Sequence, residues 1–343
     1  MIRARGFSMV ELMVAITLAL IVTTGVLSVF VGSRSAFMAT SGTAEVTDGG
    51  RFALNFISNS VRSAGYMACT TASHVQGILA AAATALPYTF NQGLGGFEAN
   101  NTGVGAAYAL AAPPVAGDAT TGDWVVNATA AVPGLDATLA GFPVKNNDVL
   151  VVRSTLANAP TVYVSAIVDG ATTFNVNIPG PLAAPQVAVI SDCYKAVVFQ
   201  ITAIGAGANA QVTHGAGGGP GTNSTASFGP LSFSPGAQVT PVDTIVYYIG
   251  RGGDGDGALF SYDAVAGTAP TELVPDIEAM QILYGFDATS NQTVSQYVTA
   301  DQVADFNTVM SVKVALLAAS APGSAKSAVA PPRTWMPTAT PSV

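Results

Sequence analysis

Charged side chains are scarce in this 343-residue chain, where they make up 9% of the residues against about 25% in ordinary soluble domains. The 12 lysines and arginines form no cluster and are outnumbered by 20 aspartates and glutamates, which argues against a nucleic-acid groove that neutralises phosphates. Two cysteines and two histidines leave little material for a zinc site. Long apolar runs are scarce too: only residues 7–31 form one, which excludes a membrane protein with several spans.

The one apolar run is long enough to cross a bilayer. As a helix, residues 7–31 span about 37 Å, and about 20 apolar residues already suffice. The run is too long for the apolar region of a signal peptide, and no Ala-x-Ala cleavage site follows it. Arg3 and Arg5 precede the run, so the N-terminus is predicted to lie in the cytoplasm and the chain beyond about residue 32 outside.

A single carboxylate, that of Glu11, interrupts the apolar run. A charged carboxylate in hydrocarbon costs about 2.5–3.5 kcal/mol on insertion scales, so this residue needs an explanation. One interpretation places Glu11 near the membrane interface or keeps it protonated. The other interpretation is that a second protein supplies its partner.

The residues around Glu11 resemble a known leader. Residues 6–11, GFSMVE, followed by an apolar helix, resemble the class III leader of type IV pilins and type II secretion pseudopilins. The resemblance implies that prepilin peptidase cleaves between Gly6 and Phe7, and that Phe7 becomes the N-methylated terminus. It also implies that Glu11 meets the N-terminal amine of a neighbouring subunit. Because a methylated amine stays cationic, it can neutralise a buried carboxylate.

A narrower resemblance follows the apolar run. The segments GRFALNF at 50–56 and AGYM at 64–67, with Arg62 and Cys69, are similar to the PilW family of minor pilins. Weaker matching pieces lie at 148–153, 191–193, 198–200 and 272–285. The chain departs from the family at two positions that are often acidic and at an end that is often basic: Asn55, Ser60 and 331–343.

The resemblance implies an α+β, type IV pilin-like fold, with a long N-terminal transmembrane helix packed on a β-rich globular head that carries long irregular loops. Within the helix, Asp48 is predicted to cap a second helical stretch over residues 49–64, which Gly65 would end. The predicted organisation is a leader, a transmembrane and filament-core helix, its periplasmic continuation, the head and an Ala/Pro-rich tail: 1–6, 7–31, 32–66, 67–317 and 318–343.

Valine-rich runs of strand length predict the β-rich head. They are residues 148–154, 162–168, 196–204, 243–249 and 308–317. Residues 277–286 fit either a strand or a short helix. Three low-complexity stretches offer little large apolar surface and are predicted to be loops or a tail: 99–140, 205–227 and 318–343.

Cys69 and Cys193 are the only cysteines of the chain, and they form no Cys-x-x-C redox motif. If the head lies outside the inner membrane, its compartment is oxidising, which favours a disulfide between them. Two separate buried thiols are the alternative.

No motif in the sequence predicts an enzyme, a catalytic residue or a cofactor. Asp254 and Asp256 share the glycine-rich run 251–257, which could offer oxygen ligands to calcium, but the full calcium-loop pattern is missing. A solvated hairpin turn is therefore favoured, and no metal is predicted. His74 and His214 are the only histidines, and neither a nucleophile elbow nor a phosphate-binding loop accompanies them.

The resemblance implies a minor pilin that helps to initiate the assembly of type IV pili, within a minor-pilin complex at the pilus tip. Its expected partners are prepilin peptidase, other minor pilins, the major pilin and the inner membrane, without nucleic acid. Its expected location is the bacterial inner membrane, with a periplasmic head, and then the pilus near its tip. The alternatives are a minor pseudopilin of type II secretion, a membrane-anchored adhesin or binding module acting alone, and, last, an anchored periplasmic enzyme.

Overall fold

The computed structural model describes residues 8–80, 86–103, 120–125, 135–159, 161–169, 171–180, 182–219, 221–287 and 293–320. The predicted leader, including Gly6 and Phe7, lies outside the described residues. The described chain divides into two units, residues 8–48 with 319–320 and residues 49–318. The first unit is largely helical and the second holds the strands, so the predicted α+β class is confirmed.

One helix, α1, runs without interruption from Met9 to Ser63. The prediction that Asp48 begins a second helical stretch is wrong, because Asp48 lies inside α1 and not at a helix start. The two glycines after it cost about 1 kcal/mol each in a helix interior. Burial of Ala53 and Ile57, which are 0% and 2% exposed, offsets that cost and holds the last turns in the helix.

Gly65 ends α1, as the sequence predicts. Its φ is +74°, a left-handed conformation that glycine adopts without strain after a helix. The Gly65 N–H donates to the Arg153 carbonyl at 2.8 Å, and the Gly65 carbonyl accepts the Ala72 N–H at 2.8 Å. The end of the helix is therefore hydrogen-bonded on both sides to the backbone of the second unit.

The second unit is built from short and long strands joined by loops and single 3-10 turns. The strands are β1 Tyr66–Met67, β2 Thr70–Thr71, β3 Val75–Gly77, β4 Leu94–Phe97, β5 Val149–Thr155, β6 Val162–Tyr163, β7 Val168–Asp169, β8 Thr173–Val176, β9 Gln186–Ser191, β10 Ala196–Ile201, β11 Ala203–Ile204, β12 Ala210–Thr213, β13 Ser232–Phe233, β14 Gln238–Arg251, β15 Gly257–Asp263, β16 Thr271–Val274, β17 Ile277–Phe286, β18 Gln296–Val298 and β19 Val309–Ala318. The 3-10 turns are Ala72–His74, Leu86–Tyr88, Thr121–Asp123, Ala137–Leu139, Ala300–Gln302 and Phe306–Thr308.

The largest sheet has nine strands and is organised around β14. One path runs β16-β15-β14-β9-β10-β3, while β5 and β6 also pair with β14, and β4 pairs with β5. The first residues of β14 pair with β9, and its later residues pair with β5 and β15, all antiparallel. Most residues of β5 and β14 are buried on both faces, which explains why they read as continuous valine- and isoleucine-rich runs.

Smaller sheets complete the head, and they correct the expectations for several segments. Residues 277–286, left open between strand and helix, form β17 between β18 and β19. The predicted strand 162–168 is broken into β6 and β7, and 196–204 into β10 and β11. The loop prediction for 205–227 is wrong at β12, because Ala210 and Val212 are buried there and β12 pairs with β8. Of the predicted loop 99–140, residues 104–119 and 126–134 lie outside the described residues.

The last turns of α1 pack on the head through one of four hydrophobic clusters. That cluster joins Ala53 and Ile57 of the helix to Leu150 of β5, Ile249 of β14 and Met280 of β17. The helix end therefore contacts strands of the nine-stranded sheet and of the β18-β17-β19 sheet together. At about 25 cal/mol per Å² of apolar area, this burial anchors the helix to the head.

Candidate functional site

The first part of α1 presents a largely apolar surface. The large apolar side chains from Met9 to Val31 are each more than half exposed, and the most apolar stretch of the helix has a mean hydropathy of 2.5. Among the described residues, α1 is the one helix long and apolar enough to cross a membrane. A surface of this kind is stable only in lipid or against the apolar faces of other helices.

Hydroxyl groups in this stretch are hydrogen-bonded within the helix. Thr17 donates to the Met13 carbonyl at 3.1 Å, Thr23 to the Ala19 carbonyl at 2.7 Å and Thr24 to the Leu20 carbonyl at 2.7 Å. A hydroxyl bonded to the preceding turn needs no water. The threonines are therefore compatible with an apolar surrounding.

Glu11 differs from these threonines, because its carboxyl group is ionisable and exposed on the apolar stretch. It lies exposed in the first turn of α1 and is the only ionisable residue between Met9 and Ser33. Gly6 and Phe7, the predicted cleavage and methylation positions, lie outside the described residues. The assembly role of Glu11 and the processing of Gly6–Phe7 stay predictions.

The predicted disulfide is present. Cys69 and Cys193 are bonded, with their Cα atoms 4.6 Å apart, and both cysteines of the chain are thereby used, which rules out two separate thiols. Cys193 lies in the turn between β9 and β10, where the Asp192 carboxylate accepts the backbone N–H groups of Tyr194 and Lys195. The bridge ties the segment just after α1 to a strand pair far along the chain.

The glycine-rich run 251–257 forms the hairpin turn between β14 and β15, as predicted. The Gly252 N–H donates to the Asp256 carbonyl at 2.8 Å and closes the turn. Asp276 joins Asp254 and Asp256, and one oxygen from each lies within 4.8 Å of the others. All three are exposed or half-buried, and such carboxylates often gather in solvated turns without a ligand.

The two histidines lie apart, in different surroundings. His74 is exposed and its Nδ1 lies 3.2 Å from the Thr71 hydroxyl. His214 is fully buried and stacks on Phe228, with ring centroids 4.1 Å apart. Burial lowers the pKa of His214 to about 4, so the ring is neutral at physiological pH. His214 is therefore a core residue.

A buried group of carboxylates in the head was not identified from the sequence. Asp148 accepts the N–H groups of Ala99 at 3.0 Å and Ile282 at 2.8 Å, so both of its oxygens are satisfied. Glu98 is 4% exposed, and its Oε1 accepts the Thr102 hydroxyl at 3.2 Å. Its Oε2 has no hydrogen-bond partner among the described residues.

The pKa values in this group are strongly displaced. Burial, followed by the charges of Asp148 and Asp301, raises the pKa of Glu98 to about 9. Burial also raises the pKa of Asp148 to about 7, against the lowering effect of its two backbone donors. The acidic residues at 98, 148 and 301 belong to no local motif, so the sequence does not indicate that they lie close together. They become neighbours only when distant strands pair.

Two family models match the chain. One is Type IV Pilus-assembly protein W, which matches residues 246–342, and the other is the prokaryotic N-terminal methylation motif, which matches residues 1–27. No curated protein and no solved structure matches. The first match begins within β14 and includes the strands to β19, and the second covers the leader and the exposed apolar start of α1.

Proposed function

We propose that the chain is a PilW-type minor pilin of a type IV pilus, as the matches to residues 246–342 and 1–27 support, and that it helps to initiate pilus assembly within a minor-pilin complex at the pilus tip. The observation that carries the proposal is the exposed apolar stretch of α1 with Glu11 as its one ionisable group. The exposed apolar surface of such a helix must be covered by lipid before assembly and by other helices afterwards. The proposed course is insertion with the N-terminus in the cytoplasm and the head in the periplasm, followed by transfer into the pilus.

The methylation motif implies processing by prepilin peptidase. We place the cleavage between Gly6 and Phe7, which removes Arg3 and Arg5 and makes Phe7 the methylated terminus. Gly6 has no side chain, so it fits a tight peptidase site that a bulkier residue would not enter. The same step creates the cationic amine that a carboxylate in the helix bundle requires.

Glu11 is the proposed partner of that amine. Each subunit would carry one amine and one carboxylate about one helical turn apart. A staggered bundle of subunits can therefore pair the Glu11 of one subunit with the terminus of its neighbour. A buried carboxylate left without such a partner costs several kcal/mol, so the pairing selects the axial register of the subunits.

The size of the head favours a place near the tip over a place along the shaft. Residues 67–317 are assigned to the head, for which the sequence predicts long irregular loops. Repeated in a tightly packed helical filament, such heads would crowd one another. The Glu11 carboxylate needs the N-terminal amine of a neighbouring subunit above it. We therefore place this subunit just below the topmost one.

Replacing Gly6 by valine should block processing. We expect the Gly6→Val protein to remain in the membrane almost wholly as the precursor, with Met1 at its terminus and no N-methyl group at Phe7. Mass spectrometry of the purified protein measures both. Gly32→Val is the matched control, because a Cβ at Gly32 would meet no atom within 4 Å and the position lies beyond the leader. An intact Met1 terminus in wild-type pili would refute the cleavage site.

Replacing Glu11 by alanine should separate insertion from assembly. Loss of the carboxylate removes an insertion cost of about 2.5–3.5 kcal/mol, so the Glu11→Ala protein should reach the membrane at wild-type amounts or above. Its recovery with the other minor pilins should fall about tenfold or more, since 1.4 kcal/mol of lost pairing already has that effect. The number of pili per cell should fall with it.

Two further results test the placement. Glu45→Ala removes an exposed carboxylate from the same helix outside the apolar stretch, and it should leave complex formation unchanged. Normal complex formation and piliation with Glu11→Ala would contradict the role of Glu11. Labelled copies spread evenly along sheared pili would contradict the tip location, and piliation that survives deletion would favour an adhesin acting alone.

A further inference from the structure

The head contains a cavity of about 400 Å³ that the proposed pilus role does not use. It lies between the segment after β4 and the segment that follows β18. We call it the acidic cavity, and the lining residues used below are Glu98, Asn101, Val125, Tyr297, Asp301 and Gln302. Two of these six residues are acidic, and none is basic.

Glu98 is a costly residue to place there. Its side chain is buried, yet among the residues that the structure describes Oε2 has no hydrogen-bond partner and Glu98 has no ion pair. The backbone N–H of Ala300 acts on the carboxyl and lowers its pKa, but burial and the neighbouring negative charges raise the pKa by more. The nearest charges that act on it, Asp148 and Asp301, have the same sign and disfavour its ionisation. A buried polar atom without a partner normally destabilises a fold. Proteins commonly retain such destabilising residues at sites that bind a ligand.

The shape of the site argues against a bare metal ion. Among the residues that the structure describes, the group whose acidic oxygens converge within 4.8 Å is Asp254, Asp256 and Asp276, not the carboxylates of the acidic cavity. A cavity of about 400 Å³ is much larger than a metal ion and suits a longer cation. The wall also offers the Val125 side chain, which contacts alkyl chains favourably. The Tyr297 ring already carries a cation, because Lys313 Nζ lies 3.8 Å from its centroid, so this part of the wall accepts an ammonium group.

We propose that the acidic cavity binds an organic cation, an ammonium or guanidinium group on an alkyl chain, with Glu98 Oε2 as its ionic partner and Asp301 as the second carboxylate. This inference does not depend on the proposed role in pilus initiation. The cation has two possible sources, a free polyamine or a lysine or arginine side chain of another protein. Both present the same chemistry to Glu98.

Binding should release a proton. With its pKa at about 9, Glu98 is protonated at pH 7.5, and a cation at Oε2 favours the ionised form. The proton leaves to the solvent while the cation takes its place. Asp148, Asp301 and Tyr284 face the same carboxyl, and the pKa of Tyr284 is raised well above its usual value, so Tyr284 keeps its proton throughout.

The test uses the full chain in detergent with n-butylguanidinium as the probe. Calorimetry at pH 7.5, in buffers with different heats of ionisation, should show binding with release of close to one proton. Glu98→Gln should weaken binding about ten- to hundredfold, as expected for loss of a charged hydrogen bond, and should abolish the proton release. The same variant without probe should melt several degrees higher than wild type, which also shows that it is folded.

Two controls make the result specific. Asp254→Asn removes one negative charge outside the cavity and should leave binding unchanged. The neutral analogue n-butylurea should not bind. Equal binding of n-butylurea, no binding of n-butylguanidinium, or a Glu98-dependent site for calcium in place of the organic cation would each overturn the proposal.

A cross-linking experiment in cells distinguishes the two sources. A photoreactive residue replaces Gln302, which is exposed at the cavity. A cross-link to another protein that disappears with Glu98→Gln identifies a side chain as the cation. A polyamine that copurifies with the wild type but not with Glu98→Gln identifies a free ligand. If neither the cross-link nor the copurifying polyamine is found, the cavity takes no organic cation in the cell and the proposal is wrong.

Discussion

Replacing Cys193 by serine is expected to lower the free energy of unfolding of the head by about 4–5 kcal/mol. The Cys69–Cys193 bridge spans a sequence separation of 124, and in the chain-entropy model a cross-link over a long loop restricts the unfolded chain more than one over a short loop. Urea unfolding of the full chain in detergent measures the loss. Because the expected loss is a large fraction of the stability of an ordinary domain, the amount of protein in the membrane should fall as well.

The matched controls are the partner variant and the double variant. Cys69→Ser should lose as much stability as Cys193→Ser, and Cys69→Ser/Cys193→Ser should lose no more than either, because all three lack the same bridge. Unequal losses would point to packing of the individual side chains as the cause. Labelling of both thiols in the native, unreduced protein would contradict the bridge itself.

Replacing His214 by leucine should remove one contribution that destabilises the folded head in acid. The His214 ring is fully buried among Phe174, Phe199 and Phe228, and neither ring nitrogen has a hydrogen-bond partner among the described residues. Leucine has a similar volume and no polar atom to leave unpaired. At neutral pH we therefore expect unfolding to cost about 1 kcal/mol more in His214→Leu than in the wild type.

The sign of the pH dependence follows from the lowered pKa. The unfolded chain takes up a proton near pH 6.5, whereas folded His214 takes one up only near pH 4. The contribution of His214 alone therefore lowers the stability of the folded state as the pH falls from 6.5 to 4, by up to about 3 kcal/mol. Above pH 6.5 the ring is neutral in both states and contributes no slope.

The contribution of His214 is obtained from the difference in the free energy of unfolding between wild type and His214→Leu. Burial raises the pKa of Glu98 to about 9 and those of Asp148 and Asp243 to about 7, so these carboxyls add stability as the pH falls. The gap between wild type and His214→Leu should widen by about 2–3 kcal/mol between pH 7 and pH 4. His74→Leu, at an exposed histidine, should show no such widening. A constant gap would contradict the buried, neutral state of His214.

Features with a local signal were predictable from the sequence. The apolar run needs only its composition to be recognised, and Gly65 stands at a position where a left-handed residue ends a helix. The disulfide followed from the presence of two cysteines and an oxidising compartment. In each case the physical cause lies within a few residues or in a simple count.

Features that depend on distant contacts were not predictable. The strand at 243–249 begins earlier, at Gln238, although Pro241 lies inside it and proline usually argues against a central strand. Pro241 is accommodated because β14 changes partners there, pairing with β9 up to Pro241 and with β5 from Val242 onwards. The acidic cavity was missed for the same reason, since Glu98 and Asp301 become neighbours only when the strands that precede them pack together.

The short connection between α1 and the head has a mechanical consequence. Tension applied along the helix reaches the head at Ala53 and Ile57, at the hydrogen bond from Gly65 to Arg153, and four residues later at the Cys69–Cys193 bridge. Arg153 lies in β5, which pairs with β4 and β14 in the nine-stranded sheet, and Cys193 follows β9 of the same sheet. A pulling force is therefore shared among several strands of this sheet, and the covalent bond limits how far the head can extend before those strands separate.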